Sequence, residues 1–231
     1  MSAQPALVIR TGSDVRRIVA LQPDYSVRTD FLERYPWSFR ALPPCIYVGS
    51  EQLPPDRVGY LWDAIALTDL EDEVLAALQV IEPRVVKLSV IGGPGGEMER
   101  APVVRLGEGD RPVFLKTMGD GMTHVLGLAL ALTNAGGGMA LLDEVENGIH
   151  YSVQTDLWKL IFHLARRLSI QVFATTHSWD CVEAFQKAAA ESPGEDGLLI
   201  RLYQGNEGIA ATTFSEQELT IATRQGIEVR G

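Results

Sequence analysis

After Gly121 the chain alternates short apolar runs with longer amphipathic segments, and this limits the folds open to it more than any other feature. Met139–Leu142 and Gln171–Ala174 are apolar runs too short for helices and bounded by glycine or polar residues, so both read as strands. Helices are expected from Met122 to Asn134, from Val153 to Leu168 and from Ser178 to Ala190. Strands separated by helices do not form hairpins; crossovers place them in a parallel sheet covered on both faces. The resulting fold class is α/β, a mostly parallel sheet with flanking helices. Ligands on such sheets bind beyond the carboxyl ends of the strands, and the most polar residues of this stretch lie there.

The flanking regions are less regular. The first forty residues mix short apolar and polar pieces and support no assignment. Cys45–Val48 reads as a short buried strand, followed by helices from about Arg57 to Leu67 and from Asp69 to Leu78. Three strand-like runs come next, at Val85–Ile91, Val103–Leu106 and Val113–Leu115, joined by turns at Gly92–Gly96 and Gly107–Asp110. Near the C-terminus, Leu198–Tyr203 and Ile209–Phe214 resemble a hairpin, with a short helix near Glu216–Thr223. The expected organisation is one partial domain over 1–231, with 1–115 a lead-in and 116–231 the half that carries the motifs.

Composition narrows the function classes. At 231 residues, 46% hydrophobic and 22% charged, the chain reads as an ordinary globular protein. Val125–Leu132, among its longest apolar stretches, falls far short of the roughly 20 residues of a membrane span. No secretory leader pattern opens the sequence, and Cys45 and Cys181 lack a partner spacing, so a reduced, cytoplasmic setting is expected. The net charge is −10, and the densest basic runs are the pairs Arg16-Arg17 and Arg166-Arg167, read as solvated surface. DNA contact needs clustered Lys and Arg, so it is expected only indirectly, through a partner.

Three motifs carry chemistry. In Met139–Glu144, four apolar residues lead into adjacent acids, which places Asp143 and Glu144 at the ligand edge of the sheet. In nucleotide hydrolysis one such acid holds Mg²⁺ and a second orients and deprotonates the attacking water; the competing reading is a strand that ends in a solvated turn. The run Gln171–Ser178 ends in Thr175, Thr176 and His177, and that histidine is placed to meet a γ-phosphate or attacking water, unless it is structural. In Lys116–Met122, Gly119 and Gly121 bracket Asp120 at the start of a helix, where free backbone N–H groups can hold an anion; the competing reading is a plain Asp N-cap.

In order and spacing, Gly119-Asp-Gly121, Leu141–His150 and Phe173–Ser178 resemble the ABC-type ATPase heads of the OLD and SMC-like group. The likeness is nearest to the small AAA-type ATPases that share the head of OLD nucleases. It is clear over Lys116–Phe185 and extends more weakly back to Tyr47 and on to the C-terminus. The resemblance implies that Gly119, Asp120 and Gly121 are the signature that meets nucleotide on an opposing protomer. It implies that Asp143 is the Walker B Mg²⁺ carboxylate, Glu144 the catalytic glutamate, Glu146–His150 the D-loop region and His177 the switch histidine. ATP and Mg²⁺ are the implied ligands.

Two departures stand out. The family signature has a serine before two glycines, whereas here an aspartate stands between them, and an acid at that point repels a γ-phosphate unless it is turned into a helix cap. A P-loop requires Gly-Lys-Ser/Thr, yet none of the four lysines, Lys87, Lys116, Lys159 and Lys187, comes directly after a glycine. The chain is therefore expected to be a half head that needs a P-loop-bearing chain or lobe to complete its site. Two alternatives remain: a non-catalytic regulatory or scaffold subunit, and a metal-dependent hydrolase using Asp143, Glu144, His150 and His177.

Overall fold

The computed structural model describes residues 6–11, 14–20, 43–92, 100–192, 197–205, 208–215 and 218–221, with backbone alone before residue 43. The chain divides into two units, Met1–Pro43 and Pro44–Gly231. In the first, β1 (Ala6–Thr11) pairs antiparallel with β2 (Asp14–Ala20), setting Leu7 opposite Val19 and Val8 opposite Ile18, with a register shift between Ile9 and Arg10. The mixed apolar and polar pattern of these residues gave no assignment in advance.

The second unit holds the parallel sheet. Strand β3 (Cys45–Val48) is succeeded by α1 (Pro55–Ile65), which opens on a proline whose fixed φ suits a first helical turn, and by α2 (Leu70–Ile81). Strands β4 (Lys87–Ile91), β5 (Ala101–Arg105) and β6 (Val113–Phe114) form a separate antiparallel sheet, ordered β4-β5-β6. A single 3₁₀ turn, Leu115–Met118, leads into α3 (Asp120–Asn134). Then come β7 (Met139–Leu142), α4 (Tyr151–Arg167), β8 (Gln171–Ala174), α5 (Trp179–Glu191) and the hairpin β9 (Leu199–Gly205) and β10 (Gly208–Phe214).

Strands β3, β7 and β8 pair in parallel in that order, with Cys45, Met139 and Gln171 in one row and Val48, Leu142 and Ala174 in another. The α/β class with a helix-flanked parallel sheet is thus observed. The antiparallel β4-β5-β6 sheet is a second layer, with Leu88 and Val90 buried on alternate positions of β4. Helix α3 explains the apolar stretch at Val125–Leu132: it is buried on all sides, among its core residues Leu126, Leu128, Leu130 and Leu132.

Some expectations are corrected. Cys45 is exposed, whereas Cys181 is buried. Arg167 is not free surface charge: it pairs with Asp69 and Glu73, tying the end of α4 to α2. The expected turn at Gly92–Gly96 falls largely within 93–99, outside the described residues, as do the ends of the expected helix at 216–223, of which 218–221 is helical. Among the described residues no helix is long and apolar enough to cross a membrane.

Candidate functional site

The common register of β3, β7 and β8 delivers the residues after Val48, Leu142 and Ala174 to one end of the sheet. The Asp143 N–H extends the ladder to the Val48 carbonyl at 2.9 Å, and the Thr175 N–H does so to the Leu142 carbonyl at 2.9 Å. Both acids are half-buried and Thr175 and His177 are exposed. The Thr175 hydroxyl donates to Asp143 Oδ1 at 2.6 Å and accepts from the Glu144 N–H at 2.9 Å. The Tyr47 hydroxyl lies 3.5 Å from Asp143 Oδ2. Glu144 adopts a left-handed backbone, φ 47°, rare for a residue with a side chain.

His177 joins this end through its backbone. Its N–H donates to Glu146 Oε1 at 3.2 Å, bridging the segment after β8 to the loop after β7. The second oxygen of Glu146 is buried without a partner among the described residues, and so is Nε2 of His124 on α3. Burial pushes the His124 imidazole below the ordinary histidine range, against the opposing pull of the nearby Val145 and Glu144 carbonyls.

The glycine motif reaches the same loop by backbone contact. A Cβ on Gly121 would lie 2.3 Å from the Gly148 carbonyl oxygen, so the start of α3 packs directly on the 145–150 loop. The aspartate between the glycines is not the N-cap. Gly119, at φ 102°, holds that position, and Asp120 is the first helical residue with no capping bond of its own. Its carboxylate instead accepts from Gln52 Nε2 at 2.7 Å and sits at the favourable, positive end of the helix dipole. Asn147 Nδ2 donates to the Ser50 carbonyl at 2.8 Å, so the loop after β3 braces both other segments.

Sequence reasoning gave no site role to Tyr47, Gln52 or Thr175, and placed Glu146 only within the D-loop-like stretch. A strand-end tyrosine and a threonine two residues before His177 carry no spacing signal, because their partners lie about a hundred and about thirty positions away. His150 is otherwise engaged: it caps α4, accepting from the Ser152 N–H at 3.3 Å. Among the described residues, no group of three or more His, Cys, Asp or Glu side chains converges as a metal cluster. The donor set fits a different metal arrangement. Asp143 Oδ2 keeps acceptor capacity at the strand end, as suits Mg²⁺ held by one carboxylate with substrate phosphates.

Comparison with known proteins agrees with this architecture. Residues 94–180 match the family described as "AAA domain, putative AbiEii toxin, Type IV TA system". No curated protein matches the chain by sequence. An SMC head solved with the C-winged helix domain of ScpA superposes with a TM-score of 0.55 at 11% identity, covering 86% of this chain and 67% of that one. A structure from work on ATP-driven dimerization and DNA-stimulated activation of SMC ATPases has a TM-score of 0.50 at 10% identity, covering 75% of this chain and 99% of that one. The chain thus has the α/β fold seen in SMC ATPase heads, and its segment 94–180 matches the AAA-domain family.

Proposed function

We propose that this chain is the signature, Walker B and switch-histidine half of an ABC-type ATPase head of the OLD and SMC-like group, active in the cytoplasm once a P-loop-bearing chain or lobe completes it. The observation that carries the reading is the convergence at one sheet end. The acids after β7, the segment bearing His177 after β8 and the glycine-opened start of α3 are cross-linked there by hydrogen bonds and by the Gly121–Gly148 approach.

In this reading Asp143 binds Mg²⁺, which supplies charge neutralisation at the phosphates. Glu144 accepts the proton of the attacking water, and His177 hydrogen-bonds the γ-phosphate. The Gly119 N–H is spent on the Lys116 carbonyl at 3.4 Å, so Gly121 is the glycine of the motif left to present its N–H at the N-terminus of α3, where a phosphate of nucleotide held by the partner is favoured. The Gln52 amide ties the Asp120 carboxylate to the loop after β3, and the acid keeps its charge. The partner lobe is supported by an apolar groove of about 720 Å³ along β8, lined by Trp158, Phe162, Phe173 and Phe185 and, across from them, by Leu198–Ile200. Among the described residues β8 pairs only with β7, so its outer edge offers free backbone groups.

Calorimetry tests this. The purified chain is expected to bind MgATP no tighter than millimolar, and to form a stable, hydrolysing complex when co-expressed with a P-loop chain encoded beside it. Micromolar MgATP binding by the chain alone would overturn the half-head reading. A complex that forms but never turns over ATP would favour the regulatory subunit.

A further inference from the structure

We propose that Thr175 is the positioning residue of this site, its hydroxyl setting Asp143 and Glu144 in their working orientations. The inference rests on the roles given to those acids above. All the polar groups of Thr175 are spent on the segment Leu142–Val145. Its N–H donates to the Leu142 carbonyl at 2.9 Å, and its carbonyl accepts from the Val145 N–H at 3.1 Å. These two bonds carry the strand pairing past Leu142 and Ala174, and any residue at 175 except proline could make them.

The hydroxyl adds what the backbone cannot. It accepts from the Glu144 N–H at 2.9 Å and donates to Asp143 Oδ1 at 2.6 Å, a relay running one way from amide to hydroxyl to carboxylate. Such a relay is self-consistent, because each bond polarises the next. It has two consequences. Asp143 is rotationally fixed, with Oδ1 occupied and Oδ2 left on the Tyr47 side. Glu144 is held at φ 47°, a conformation that other residues with a side chain visit only when surrounding contacts enforce it. The Glu144 carbonyl is held as well, accepting from the Asn147 N–H at 2.8 Å. The residue assigned as the base is thus pinned from both sides, with the threonine hydroxyl as one of the two pins.

Two substitutions separate the hydroxyl from the shape of the side chain. Thr175→Val keeps the volume and removes the relay; Thr175→Ser keeps the relay. Amide hydrogen exchange by NMR on the full chain reads the result without any need for turnover. In Thr175→Val the Glu144 amide should exchange at least about tenfold faster while Val145, bonded to the backbone carbonyl, stays within about threefold, the factors being those expected for losing one hydrogen bond. Thr175→Ser should restore Glu144 protection. Unchanged Glu144 exchange in Thr175→Val overturns the proposal, and so does equal loosening of Glu144 and Val145, which signals general fraying of the strand end. Mn²⁺ titration of the same variants, with ATP and in the complex completed by a P-loop chain, reports on the parent reading, because Asp143 shares the ion with nucleotide phosphates. Broadening of the Tyr47 and Thr175 signals that Asp143→Asn abolishes, and that Thr175→Val alters but Thr175→Ser does not, supports both. Absence of Mn²⁺ broadening with the Glu144 relay intact overturns the role of Asp143, and with it the work assigned to Thr175.

Discussion

Helix α3 buries residues around its whole circumference, whereas the hairpin β9–β10 leaves Ile200, Leu202 and Ile209 open to solvent. The pairing puts Leu202 opposite Ala211 and Gln204 opposite Ile209, so Ile200, Leu202 and Ile209 share one face. The contrast separates a finished part of the fold from one that still offers apolar surface. The motif-bearing sheet end belongs to the finished part: it is braced from the loops after β3, β7 and β8 and from the start of α3. The groove along β8 and the hairpin face lie on the other side of the divide, where apolar surface is open.

The largest expected effect probes the finished end. In an assembly completed by a P-loop chain, Glu144→Gln should cut ATP hydrolysis by about 10²–10⁴-fold, the range for losing a general base. Denaturant unfolding of the isolated chain should hardly change, because the amide keeps the shape. A mild loss of turnover would detach the braced sheet end from catalysis.

Next in size, Leu128→Ala in α3 should cost about 2–5 kcal/mol, read from the denaturant midpoint, because Leu128 is almost fully buried. A cost below about 1 kcal/mol would break the claim that α3 is buried on all sides.

Buried Cys181, at the start of α5, gives a pH test of the same region. Burial pushes its thiol up to about 11, with Thr176 and Trp158 hydrogen bonds pulling the other way. A raised pKa means that the folded state favours the neutral thiol. The contribution is complete below the ordinary thiol value of 9.0 and is lost as pH rises through about 11. Stability should therefore fall by roughly 2–3 kcal/mol across that window. Cys181→Ala should remove that part of the slope.

Gly121→Ala should cost about 1–3 kcal/mol as an overpacking substitution, since the new methyl meets the Gly148 carbonyl and must push α3 off the loop. Hydrogen exchange at Ile149 should rise with it. At the unfinished face, Ile209→Thr should change the stability of the isolated chain by no more than about 0.5 kcal/mol, because Ile209 is 79% exposed. A larger loss would show that the hairpin is already covered, and the contrast with α3 would fail.

Much of the fold was legible because the chain writes it in local pattern. The four-residue strand β8 falls where its apolar run predicts, β7 likewise, and Ser178 caps α5 by accepting from the Cys181 N–H, as a serine ahead of an amphipathic run should. The placement of Asp143 and Glu144 was legible too, because the residues just past a parallel strand can only emerge at the carboxyl edge of its sheet. The exchange of N-cap between Asp120 and Gly119 was not legible. Capping preference favours the acid, but the left-handed turn at φ 102° favours glycine, and the Gln52 contact draws the carboxylate away.

Sequence alone determined periodicity: which stretches are strands or helices, that the strands β7 and β8 run parallel, and which polar residues come after them. Tertiary structure alone decided which groups hold those residues. Thr175, Tyr47, Gln52 and Glu146 act on partners far along the chain, and a hydrogen bond across that separation leaves no trace in spacing. It exists only once β3, β7 and β8 share a register and bring the ends of three distant segments to one edge.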